Sequence, residues 1–181
     1  MKQQNRKQFI WLVGIVFVIA LVRLINLPIP NFSPIGAMAL FGAAYFRNKY
    51  AGILVPLASL FVSDVILELV NGTGFHGTMV FVYGSFLLIG MIGWLLRNHT
   101  TALTLAVSGL AASILFYLVT NFGVWAMGTW YPHDLNGLML SYEMGLPFFR
   151  YTLLGNLFYI SLLFGLYEGV IKKKVPAFAG Q

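Results

Sequence analysis

Pro30-Asn31-Phe32-Ser33-Pro34-Ile35-Gly36-Ala37-Met38-Ala39-Leu40-Phe41-Gly42 has the apolar content of a membrane helix, but it begins as an extended piece bracketed by prolines. Ser33 before Pro34 reads as an N-cap and first helical position, because Pro34 lacks the N–H that a helix start leaves orphaned. A helix from Pro34 to Phe46 spans roughly 20 Å at ~1.5 Å per residue, short of the ~30 Å hydrocarbon core. A short helix fed by non-helical backbone is tolerated in a bilayer only where protein or a wet cavity surrounds it. This stretch is therefore the expected neighbourhood of function.

Composition sets the class. Hydrophobic residues make up 59% of the 181 and charged residues only 9%, against ~25% charged in an ordinary soluble domain. Several continuous apolar runs near twenty residues predict an all-α, polytopic membrane protein, and their lack of period-two alternation argues against a barrel. The net charge of +6 invites a nucleic-acid reading. However, Lys2, Arg6, Lys7, Arg47, Lys49, Arg97, Lys172, Lys173 and Lys174 all flank apolar runs, and no basic stripe is left to track a nucleic-acid backbone. The lack of cysteine removes disulfides, thiol catalysis and thiolate metal sites.

Six spans are expected, at about 9–26, 33–46, 50–70, 78–96, 102–125 and 147–170, forming one integral membrane domain over 1–181. Arg23 closes the first run without a small-x-small cleavage site, so that run reads as an uncleaved span. Leu27 to Phe32 is a charge-free loop, and Asn71 to Gly77 is turn-rich. Thr129 to Gly145 holds Trp130, Tyr131, Pro132, His133 and Asp134, then a short amphipathic segment; Pro147 opens the sixth span. If the second helix crosses, all nine flanking basic residues share one side. If it only dips in and returns, they divide against the positive-inside rule. A true crossing follows, with both termini cytoplasmic in a bacterial inner membrane.

This topology places the polar residues by depth. Asp64 lies roughly 9 Å inside the outer end of its span, with Glu68 one turn nearer the surface on the same face. Asn121 and Thr120 sit near the outer end of the fifth span, Arg150 in the first turns of the sixth, and Asn156 about 9 Å deeper. Asn31 and Ser33 start the second helix on the same side. The inner half reads as almost wholly apolar. Asp64 is expected either to pair with Arg150 or to meet a ligand, since an unpaired charge at depth costs about 2.5–3.5 kcal/mol. Asn121 is an interhelical tie or a ligand contact, and Arg150 and Asn156 do not share a helix face.

His76, Tyr131 and His133 are candidates for loops that close over a pocket. Trp125, Trp130 and Tyr131 read first as an interfacial belt and second as a stacking surface. No His/Asp/Glu set has metal-ligand spacing on one helix, and no nucleophile elbow, phosphate loop or dinucleotide fingerprint is present, so no metal, cofactor or catalytic residue is expected. Ala39-x-x-x-Ala43 could pack a helix of this chain or of a partner.

Three stretches, Asn31 to Gly42, Val119 to Trp125 and Leu146 to Asn156, resemble an uncharacterised family of bacterial membrane proteins described as transport proteins; Gly74-Phe75-His76 adds to the likeness. In that family an acidic residue is usual at the position of Asn156. The size, six spans and polar outer half also look like the substrate-binding (S) components of energy-coupling-factor transporters. That resemblance implies a small nutrient captured near the outer face and a separate energising partner. Those proteins often carry Ala-x-x-x-Ala in the first helix; here it stands in the second.

The first reading is a small-molecule uptake or binding component. Its outward pocket would be formed by Asn31, Ser33, Asp64, Asn121, Trp125, Arg150 and Asn156. The positive end of the short helix and Arg150 would favour an anionic or zwitterionic substrate. The alternatives are a membrane scaffold that recruits partners, and an enzyme on a lipid-linked substrate using Asp64 or Glu68 as base.

Overall fold

Six α-helices carry the chain in the computed structural model, which describes residues 2–25, 29–97 and 99–171. They are α1 (Lys2–Leu21), α2 (Ile35–Tyr45), α3 (Lys49–Asn71), α4 (Met79–Leu95), α5 (Ala102–Met127) and α6 (Leu135–Leu166). A 3-10 turn, Val22–Leu24, extends α1, and a π turn, Tyr167–Ile171, extends α6. There is no strand among the described residues. Lys172, Lys173 and Lys174, which entered the charge count, lie outside the described residues, as do Leu27 and Pro28 of the first loop. Three helices, Lys49–Asn71, Ala102–Met127 and Leu135–Gly169, are long and apolar enough to cross a membrane; Phe9–Leu24, Ile35–Tyr45 and Met79–Leu95 are shorter apolar helices.

The short helix is the hub. Every residue of α2 from Gly36 to Ala44 is buried, and all five other helices contact it. Its shortness is thereby explained: surrounded by protein, it need not match the thickness of anything outside. Close approach comes from small residues. A Cβ on Gly42 would lie 2.5 Å from the Gly52 carbonyl oxygen, and one on Gly93 would lie 2.7 Å from Ala43 Cβ. Pro56 helps at the first contact, because it has no N–H for the Gly52 carbonyl four residues back, which instead faces Gly42. Ala39 and Ala43 are at most 2% exposed, so this pair packs helices of the chain itself and leaves no surface for a partner.

Two expected helix starts are corrected. Pro34, not Ser33, occupies the cap position of α2, and its carbonyl accepts the Met38 N–H at 2.9 Å. Ser33 therefore lies one residue outside and its hydroxyl caps nothing. The sixth helix does not open at Pro147. It opens at Leu135, because the Asp134 carboxylate accepts the Gly137 N–H at 2.7 Å and caps a helix there. The expected amphipathic segment is its first turns. Pro147 is carried inside α6; Glu143, whose carbonyl loses its donor, is exposed.

The far end of α2 is closed by Arg97. Its Nε donates to Ala43 O at 3.1 Å and its Nη2 donates to Phe46 O, so a residue read as a topology signal also satisfies carbonyls that a helix C-terminus leaves unpaired. At this end the Tyr45 hydroxyl donates to Glu168 at 2.6 Å. The half expected to be almost wholly apolar thus carries Glu168, which the sequence reading passed over. Around the outside, Leu54, Phe61, Leu69, Leu103, Val107, Leu154 and Phe158 are exposed, far more apolar surface than a water-soluble monomer leaves bare.

Candidate functional site

Near the end of the bundle where α1, α3 and α5 finish and α2 and α4 begin, and beside the middle of α6, the helices border a half-open cavity of about 620 Å³. That volume suits a small organic ligand. Phe32, Phe116, Tyr117, Phe148, Phe149 and Tyr159 supply aromatic wall, and Trp130 and Tyr131 reach it from the loop before α6. A smaller annex of about 60 Å³ adjoins it, sharing Asn31, Ser33, Ile35, Phe116 and Thr152 and adding Gly36, Ile89 and Asn156.

Arg23 is the only Lys, Arg, Asp or Glu among the described residues lining the cavity. Its Nη1 donates to Asp64 Oδ1 at 2.7 Å and to Ser63 Oγ at 2.6 Å. Asp64 is buried and takes a second donor on its other oxygen, the Tyr83 hydroxyl at 2.6 Å. The carboxylate is thus consumed behind the wall, while Nε and Nη2 of Arg23 have no partner among the described residues. A charge held in one orientation by an acid that is itself hydrogen-bonded is pre-organised for an incoming acceptor.

Four other polar side chains of the lining spend a hydrogen on a backbone carbonyl. The Thr120 hydroxyl donates to Phe116 O at 2.7 Å, Thr152 to Phe148 O at 3.2 Å, and Tyr117 to Tyr142 O at 2.5 Å. Asn121 Nδ2 donates to Tyr117 O at 2.8 Å, and its amide presses on Gly145, where a Cβ would lie 2.5 Å from Oδ1. Asn121 is therefore both a tie between α5 and α6 and a lining residue. Asn31 has φ 60°, a left-handed conformation that asparagine tolerates better than most residues, and it turns the chain into the extended lead to α2. The Ser33 hydroxyl is buried with no hydrogen-bond partner among the described residues.

The model of a family of unknown function (DUF6580) matches residues 3–178. The chain belongs to this family. No curated protein and no solved structure matches it. In this DUF6580 member the expected site residues divide into three groups. Asn31, Ser33, Asn121, His76 and Tyr131 line the cavity, and Asn156 lines the annex. Asp64 stands behind Arg23. Arg150, Trp125 and His133 are not in the lining.

The expected Asp64–Arg150 pair is corrected: Arg23 takes the acid. Arg150 is exposed and lies over its own neighbour, with Nη2 2.8 Å from the Tyr151 hydroxyl. Asn156, on another face of the same helix, is buried. Trp125 and His133 instead brace the loop: Trp125 Nε1 donates to Pro132 O at 2.9 Å, and His133 Nε2 meets Gly128 O at 3.2 Å. Glu68 is exposed and accepts the Gly74 and Phe75 N–H groups at 2.9 and 3.1 Å. Arg23, Tyr83, Tyr117, Thr152 and Tyr159 escaped the sequence reading. Arg23 had a signal, since it and Arg150 are the two basic residues outside the flanking set; depth alone did not separate them.

Proposed function

We propose that this chain is a six-crossing integral protein of the bacterial inner membrane that binds a small anionic or zwitterionic molecule in an outward-facing cavity. Both termini would be cytoplasmic. The observation that carries the reading is Arg23: a cation pinned by Asp64, with donors left over, in a cavity of ligand size with aromatic side chains in its wall. The ligand's acid group would take those donors and its apolar body the aromatic wall. The start of α2 lies alongside, and helix N–H groups there favour the same sign of charge.

Uptake is the corresponding biological role, with release inward driven by an energising partner. The small helices α2 and α4 (about 17 and 26 Å at ~1.5 Å per residue) fit a crossing protein because α2 is sheathed by protein and the tilt and thickness of a bilayer adjust to the rest. The enzyme alternative loses its candidate bases, since the Asp64 carboxylate is taken by Arg23 and Tyr83, and Glu68 by loop amides. The scaffold alternative gives no account of the cavity.

The test is thermal unfolding of the purified chain in detergent against a panel of carboxylates, amino acids and neutral analogues. Acids should raise the midpoint in wild type and not in Arg23→Gln, while Arg150→Gln keeps the full shift. A shift that survives Arg23→Gln would overturn the reading.

A further inference from the structure

The annex differs chemically from the chamber it opens from. Asn156 is 2% exposed, and its orientation is fixed by a relay. Ser113 spends its one hydroxyl hydrogen on Gly109 O at 2.7 Å, so at 2.9 Å from Asn156 Nδ2 it must accept. The amide nitrogen therefore faces Ser113, and the carbonyl oxygen Oδ1 is left without a donor among the described residues. Gly36 makes room for the amide, because a Cβ there would lie 2.5 Å from Oδ1 and 2.8 Å from Nδ2. Ser33 supplies a second unused group, a buried hydroxyl that can donate or accept. An acceptor and a donor–acceptor thus border a space of about 60 Å³, room for about four water-sized atoms. No ionisable side chain lines it among the described residues.

We propose that the annex is a recognition subsite for the donor–acceptor edge of a neutral amide, imide or lactam group, carried by the same small acid that Arg23 receives. The inference rests on the anion-binding reading above and adds the substrate class: an aromatic or heterocyclic acid with an amide-type edge. The ligand N–H meets Asn156 Oδ1 and its carbonyl oxygen meets the Ser33 hydroxyl. An analogue lacking the N–H leaves Oδ1 buried and unpaired, which is the strongest form of discrimination a small pocket can apply.

The full chain in detergent would be titrated calorimetrically with 3- and 4-carbamoylbenzoate and with 3- and 4-acetylbenzoate, near-isosteric ketones without the N–H. In one isomer pair the amide should bind about tenfold or more tightly than the ketone. Asn156→Leu should erase that preference, because the amide loses its acceptor and the ketone no longer buries an unpaired Oδ1, and Ser33→Ala, a smaller change to the fold, should weaken amide and ketone alike while keeping the preference. Arg23→Gln should weaken amide and ketone alike. If amide and ketone bind equally and both depend on Arg23, the annex holds water and this proposal falls while the anion site stands. If none of the four binds at millimolar concentration, the anion site falls and the annex with it.

Discussion

Arg23 and Asp64 are forty-one residues apart in sequence and 2.7 Å apart in space. Their side chains are 17% and 2% exposed, so the acid is sealed and the base looks outward. Removing the acid strands a partly buried guanidinium. Asp64→Ala should cost about 3 kcal/mol, the low end for breaking a buried pair because Arg23 keeps some solvent. A double-mutant cycle by denaturant or thermal unfolding should give coupling between 23 and 64 and none between 64 and 150.

Gly36 and Asn156 form a second obligatory fit. Gly36→Ala should destabilise by about 1–3 kcal/mol by driving a methyl into the amide. Combining it with Asn156→Ser, which vacates that space, should recover a large part of the loss in the same unfolding assay.

Arg97 should matter more than a surface basic residue. Arg97→Ala leaves the Ala43 and Phe46 carbonyls without their charged donor, a loss of about 1.5–3 kcal/mol. Arg47→Ala, at an exposed position beside it, should change unfolding by less than about 0.5 kcal/mol. Equal effects would contradict the capping role.

The loop before α6 should depend on Trp125. Trp125→Phe deletes the bond to Pro132 O, worth about 0.5–1.5 kcal/mol. Because the loop presents Trp130 and Tyr131 to the cavity, limited proteolysis within 128–134 should accelerate. Unchanged cleavage would show that the loop is held by other contacts.

The proposed six-crossing topology can be tested by labelling, since the native chain has no cysteine. Thr73→Cys and Thr129→Cys should react with an impermeant thiol reagent on intact cells, and His99→Cys only after permeabilisation. Labelling of all three from one side would refute the crossing of α4 and of α5.

The sequence by itself determined the helical class, four of the six helix locations to within two residues, and the end of the bundle where polar groups gather. Long apolar runs, prolines and charged flanks act locally, so they are legible in a string of letters. Asn31, Ser33 and Asn121 were found for the same reason. The start of α6 was not, because the Asp134 cap and the Pro147 signal compete locally and only the packed helix resolves them. Partner choice also lay beyond the sequence: Arg150 was the expected partner of Asp64, and Arg23 was read only as the end of the first run. Tertiary structure decided between them by rotation, turning Arg150 outward on α6 while the end of α1 brings Arg23 against α3. It likewise gave Pro30–Gly42 its place. The residues predicted a short helix; only packing made it the buried axis whose first turn borders both cavities.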